Sequence, residues 1–264
     1  MELFGLPGTL LLTLRARALE AARPDAILAD PLAAAWLAQL APAPDFQPVV
    51  DAAVTPVFQL GTAVRAHLYD QLTARFLAAH PDPLVVELGA GLSTRYQRLG
   101  AGRARWVELD LPAAIAARRM VDAETADHRY LACSMADPAW PAQLPPADPA
   151  QTLFLAEGVL FFLPETAVGA LCRLLTTHFR GATFGLDVLT RQFSPKTRAA
   201  FAAAGIPFQW LVADTAALAP LGLALQASWT VTQRFPERWQ ALGFDPARLP
   251  DGQGNVVVEA RVTT

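Results

Sequence analysis

A chain of 264 residues, 53% of them hydrophobic and only 17% charged, carries enough apolar surface for one large core and lacks the polar composition of a disordered segment. Its formal net charge of −3, with no long run of Lys or Arg, excludes the electrostatic footprint of a nucleic-acid binder. No apolar run is long enough to span a bilayer, because Arg, Asp, Glu or Pro interrupts every candidate.

The opening MELFGLPGTLLLTLRAR is apolar, but Glu2 stands where a signal peptide would be positive and the basic residues follow the apolar run, so it reads as the start of the fold. Leu10, Leu11, Leu14 and Ala18 then share one helical face. DPLAAAWLAQL predicts a second helix, capped by Asp30 and opened by Pro31. In a third, Leu60, Val64, Leu68, Leu72 and Phe76 recur every fourth residue and form a stripe to be buried. From Leu84 the texture changes. Short β-rich runs (LVVEL, ARWVEL, HRYLAC, TLFLAE, ATFGLDV) alternate with helical stretches, the pattern of a mainly parallel sheet with crossover helices. Pro138 to Ala150 reads as an irregular connector of ordinary type, and segments around 222–231 and 255–262 read as a closing antiparallel pair. Cys133 and Cys172 fall in strand and helix, where a free thiol behaves as a small hydrophobe, which suits a reducing cytoplasm. The expected architecture is α/β, a mostly parallel doubly wound sheet (residues 81–264) under an N-terminal helical cap (residues 1–80), as a single structural unit.

The densest local signal is Leu84 to Gly91, an apolar strand running into two glycines separated by Ala90. Such glycines let the backbone turn sharply and approach a ligand closely, at the strand end where open α/β sheets bind their ligands. Asp110 closes the next strand about 20 residues further on, the spacing at which a carboxylate meets ribose hydroxyls. It serves equally as a cap for the helix that Pro112 opens. Glu108 reads as turned to the other face. A dinucleotide fingerprint needs a third glycine at position 94, where Thr94 stands, and this disfavours NAD. An S-adenosyl ligand has no phosphate to place on a helix N-terminus, and Glu87 complements its cationic character, so the expected cofactor is S-adenosyl-L-methionine. Of His67, His80, His128 and His178, only His67 reads as near the crevice, and no catalytic base is assigned. Asp187, ending ATFGLDV, is a second candidate pocket acid or a helix cap.

Taken together, RALEAARPDAILADPLA, AVRAHLYD, VVELGAGLSTR, WVELDLP, CSMADPAW and AEGVLFFLPE resemble, in order and spacing, the leucine carboxyl methyltransferases and their bacterial tetracenomycin-type relatives that O-methylate polyketides. The resemblance covers nearly the whole chain and implies a Rossmann-like class I methyltransferase fold. It implies that Arg65 pairs with the carboxylate of the cofactor's methionine part and that Glu87, Gly89, Ala90 and Gly91 cradle its methionine and ribose. By the same resemblance Asp110 binds the ribose, Ser134 and Met135 the adenine, and Glu157 and Gly158 face the cofactor amine and the acceptor. Read without it, Arg65 is a solvated helix arginine, Ser134 and Met135 an ordinary turn, and Glu157 a carboxylate that needs a partner if buried. Ser93 and Phe162 depart from the family's frequent Asp and Tyr, and Ser134 replaces an acidic residue of the carboxyl-methylating branch, a lean toward bacterial small-molecule substrates. The expected function is an S-adenosyl-L-methionine-dependent O-methyltransferase of the cytoplasm, acting on a hydroxyl or carboxylate of a small, polyketide-type molecule. No metal, nucleic-acid or membrane partner is expected. The alternatives are a catalytically inactive methyltransferase-like binding protein and an NAD-dependent oxidoreductase.

Overall fold

The computed structural model describes residues 6–40 and 53–263. Its chain begins with α1 (Leu6–Ala21), α2 (Pro31–Leu40) and α3 (Pro56–Ala79). Asp30 accepts the Ala33 amide at 3.2 Å, the cap that its position ahead of Pro31 predicts. Leu11, Leu14 and Ala18 pack with Ala33 and Trp36, so α1 and α2 share a small core of their own. Thr55 caps α3 through the Phe58 amide, and the stripe Leu60, Val64, Leu68, Leu72 and Phe76 is buried throughout.

Seven strands follow: β1 (Leu84–Leu88), β2 (Arg105–Asp110), β3 (His128–Ala132), β4 (Thr152–Ala156), β5 (Thr183–Leu189), β6 (Leu223–Thr230) and β7 (Asn255–Val262). They form one sheet in the order β3-β2-β1-β4-β5-β7-β6. The first five are mutually parallel, and β7 runs antiparallel to both β5 and β6. The expected antiparallel pair is present, with β7 inserted between β5 and β6 so that β6 forms the edge. Helices α4 (Pro112–Arg118), α5 (Glu165–His178), α6 (Pro195–Ala203) and α7 (Pro236–Ala241) lie between strands.

The strands read as near-continuous apolar runs because both faces of the sheet are covered. Val86, Leu88, Leu109, Phe154 and Phe184 pack on α5. Val85, Trp106, Leu153, Leu155 and Val257 pack on the buried stripe of α3. Cys172 is buried in α5, and Cys133 is half-buried just after β3. The Pro-rich connector is less ordinary than its composition suggests. Trp140 at its centre is fully buried in the α5-side core, and its indole N–H donates to the Met135 carbonyl at 3.0 Å. No helix among the described residues is long and apolar enough to cross a membrane.

Candidate active site

The carboxyl ends of β1, β2, β4 and β5 open into a cavity of about 930 Å³, walled on its other side by α1 and α3. That is near the upper end of the ~300–1,000 Å³ range of ligand sites. Gly89 turns the chain out of β1 at φ +70°, where its bare backbone meets the β4 loop. A Cβ at Gly89 would stand 2.8 Å from Val159 Cγ2, and with a left-handed φ the residue has to be glycine. Gly89→Ala is therefore expected to cost about 1–3 kcal/mol, read as a lowered urea midpoint; an unchanged midpoint would refute the close packing of this turn.

Asp110 ties the loop to β2. Its two oxygens accept the Gly91 and Leu111 amides, each at 2.7 Å, and burial raises its pKa against those two bonds. Asp110 does not cap the helix that Pro112 opens, whose N-cap is Leu111 with no side-chain bond, and each of its oxygens retains a lone pair toward the cavity that it lines. Glu108 is corrected by the structure. Two residues back along a strand, it shares the Asp110 face and lies fully buried against Arg118 and His128.

The remaining acids are knitted together by arginines. Arg95, only 2% exposed, donates to Asp70 at 2.9 Å, Glu87 at 3.1 Å and Glu157 at 2.5 Å. Arg65 donates to the other Glu157 oxygen at 3.2 Å and lies 3.9 Å from Asp187. Burial opposes ionisation of Glu157, but Arg95 and Arg65 outweigh it and hold the carboxyl at about 2. Arg65 is therefore not a solvated helix arginine. Its guanidinium lies against Gly158, where a Cβ would stand 2.7 Å from one of its nitrogens. Asp187 does not reach the cavity as a pocket acid or cap a helix. Fully buried, it accepts from the Tyr69 hydroxyl (3.1 Å), the Gly158 amide (2.7 Å) and the Asn255 side chain (3.2 Å), and so fixes the β4 loop from behind. Burial raises its pKa, against the pull of Arg65.

Of the residues singled out in the sequence, Arg65, Glu87, Gly89, Ala90, Gly91, Asp110, Glu157 and Gly158 line this one cavity. Met135 and Ser134 do not line it: Met135 is buried behind Gly89, while Ser134 is exposed and accepts the Ala136 amide in a turn. His67 also lies off the wall, its ring edge-on to Phe235, and none of the described histidines is a lining residue. Sequence reading missed two features. One is the buried role of Arg95, which sits inside the quoted motif VVELGAGLSTR. The other is an aromatic cluster on the cavity wall, where Phe208 stands 4.8–5.7 Å, centroid to centroid, from Phe161, Phe162, Phe193 and Phe201. Its signal was available: these are five of the seven phenylalanines between positions 161 and 208, and they fall outside the strand and the long helix of that segment.

The family model for leucine carboxyl methyltransferase matches residues 11–176. The tetracenomycin polyketide synthesis O-methyltransferase TcmP of Streptomyces glaucescens is 29% identical over 257 residues, 92% of each chain. A putative S-adenosyl-L-methionine-dependent methyltransferase of Streptomyces coelicolor is 29% identical over 272 aligned positions, covering 94% of this chain and 92% of its own. Among solved structures, a putative methyltransferase from Thermobifida fusca superposes with a TM-score of 0.57 at 15% identity, over 98% of this chain and 99% of that one, a likeness of fold.

Proposed function

Because this chain belongs to the leucine carboxyl methyltransferase family, with a class I methyltransferase fold, we propose that it methylates an oxygen of a small aromatic acceptor. The methyl donor is S-adenosyl-L-methionine, as the name of the Streptomyces coelicolor relative, which covers 94% of this chain, gives for that protein. The observation that carries the proposal is a cavity lined both by the glycine loop with its carboxylates and by a cluster of phenylalanines. Its volume has room for two ligands side by side.

The chain's residues fit an S-adenosyl group. The Gly89 turn presents backbone that any side chain would obstruct. Asp110 offers its free lone pairs to ribose hydroxyls, Glu157 faces a cationic amine, and Arg65 supplies a guanidinium for a carboxylate. Glu87 acts through Arg95, and the Gly89–Gly91 backbone lies along the methionine and ribose portions. The turn at Ser134 and Met135, which backs Gly89 from behind the cavity wall, is assigned to the adenine end, and residues 1–80 to the cap over the donor. When bound, the cofactor supplies a sulfonium-activated methyl for in-line displacement. The protein's task is then alignment and exclusion of water, and the Phe208 cluster provides a dry face for a planar acceptor.

Glu157, held at about 2, stays ionised at neutral pH and takes no proton. Glu87 is bound by Arg95, and Asp110 by two amides. Engaged acids of this kind favour an acceptor that arrives already ionised, a carboxylate, over a neutral hydroxyl that needs a base. The tetracenomycin relative is named for O-methylation in polyketide synthesis, and the same acceptor class is assigned to this chain.

Two measurements test this. Calorimetry with S-adenosylhomocysteine is expected to show binding to the wild type, weakened about 100-fold in Asp110→Ala, a loss of about 2.7 kcal/mol within the range for a charged hydrogen-bond partner. Identical affinities would remove Asp110 from the site. With radiolabelled methyl donor and a panel of aromatic carboxylates and phenols, the transferred label should be released as methanol by mild alkali, as from an ester. Alkali-stable label would identify a hydroxyl acceptor instead, and binding without transfer to any acceptor would favour an inactive binding protein.

A further inference from the structure

In a sheet of this kind the helix after the first glycine loop usually packs close and holds the loop in place. Here β1 is followed only by a five-residue π-helical turn, Tyr96–Gly100. Three successive loop carbonyls, those of Gly91, Leu92 and Ser93, take their hydrogen bonds from side chains instead. Arg118, at the end of α4, donates to Gly91 O at 3.1 Å and to Ser93 O at 2.6 Å. Arg17, on α1, donates to Leu92 O at 2.6 Å and to Thr94 Oγ1 at 3.1 Å. The residue standing in place of a third glycine is thus a ligand of the same clamp.

Both guanidiniums are buried and fixed from behind. Arg118 is ion-paired with Glu108 and has its guanidinium carbon 5.3 Å from the Trp36 ring and 5.4 Å from the Tyr130 ring. Arg17 is paired with Asp30 at 2.5 Å. Burying a guanidinium costs several kcal/mol of desolvation, and these two direct their forks at backbone oxygens of one short loop. Arg118 has no place on the cavity wall, so it does not touch a ligand there.

We propose that Arg17 and Arg118 are positioning residues: a two-arginine clamp, from α1 and α4, that holds the glycine loop in the shape that accepts the S-adenosyl group. The role rests on the reading of the cavity as the S-adenosyl site. It makes cofactor affinity depend on Arg118, which the cofactor does not touch, and couples the docking of α1 to the loop.

The test uses the full chain. Arg118→Lys and Arg17→Lys keep the charge opposite Glu108 and Asp30, but one ammonium does not reproduce a planar fork spanning two oxygens. S-adenosylhomocysteine is titrated into wild type and both variants, and amide exchange is followed over residues 89–95. Each substitution is expected to raise the Kd about tenfold, as when the loop holds its competent shape about a tenth of the time. Exchange over 89–95 should quicken in the ligand-free variants and return to the wild-type level at saturating ligand. A merely structural arginine would lower the unfolding midpoint and leave both readouts alone. Affinities within about twofold of wild type, with loop exchange unchanged, overturn the clamp. Arg17 itself lines the cavity, so should Arg118→Lys fail to fold, Arg17→Lys decides by the ligand-free loop exchange alone. Failure of the wild type itself to bind S-adenosylhomocysteine overturns the cofactor reading of the cavity, a different result from binding that ignores the arginines.

Discussion

Arg95→Met is expected to lower the unfolding midpoint by roughly 10 °C, a loss on the order of 3–5 kcal/mol. Each of the three donor nitrogens of Arg95 is committed to a different carboxylate, on α3 (Asp70), on β1 (Glu87) and after β4 (Glu157), and the side chain is almost wholly buried. Tyr69 covers it, the guanidinium carbon 5.4 Å from the ring centroid. Asp70 keeps Arg98 as a partner and Glu157 keeps Arg65. Glu87, 3% exposed, keeps no other ion pair among the described residues, and leaving a buried carboxylate unpaired is what makes the loss large. The double variant Arg95→Met/Glu87→Gln should therefore recover part of the midpoint, because it removes the orphaned charge. Thermal unfolding of wild type, single and double variants decides the matter. A single variant within about 2 °C of wild type, or a double variant less stable than the single, would rule out this account of Arg95.

The contrast between what the sequence disclosed and what it hid follows from the range of the forces involved. The strands were legible because they are short β-rich runs cut by polar or glycine-bearing turns, and the central β1, β4 and β5 are mostly apolar and buried throughout because both sheet faces are covered there. The Asp30 cap and the α3 stripe were legible because caps and helical periodicity act over a few neighbours. The insertion of β7 between β5 and β6 was not, since pairing partners are set by which apolar faces meet across the chain. The arginines were hidden for the same reason. Arg95 finds its partners 8, 25 and 62 residues away, and an arginine read without its neighbours defaults to the surface. Glu108 was misplaced by a local slip: strand alternation has a period of two, so it belongs on the Asp110 face. His67 was placed near the crevice by its neighbourhood in the chain, and its ring turns edge-on to Phe235.

Glu157→Gln is expected to alter how stability responds to acid, and the sign follows from the direction of its shift. Arg95 and Arg65 hold this carboxyl at about 2, below its ordinary 4.5. A depressed acid contributes its stabilisation in full above the unfolded value and loses it as pH falls through the folded one, so the window runs from about pH 4.5 down to about 2. A shift of this size corresponds to roughly 3 kcal/mol, an order-of-magnitude figure for a side chain 19% exposed. Asp187 and Asp110 act in the opposite sense. Burial raises both, so each favours the native state as it takes up a proton, and the wild-type acid limb is the sum of the two tendencies. Subtracting the variant from the wild type isolates Glu157, because Gln keeps the shape and an acceptor oxygen but carries no charge. Urea unfolding at pH 7, 5, 4 and 3 should show Glu157→Gln less stable by about 3 kcal/mol at neutral pH, with the two curves converging as the acid end is approached. A gap that stays constant down to pH 3 would mean that Glu157 stabilises by packing and hydrogen bonding alone. The arginines would then be neutralised chiefly by Glu87, Asp70 and Asp187.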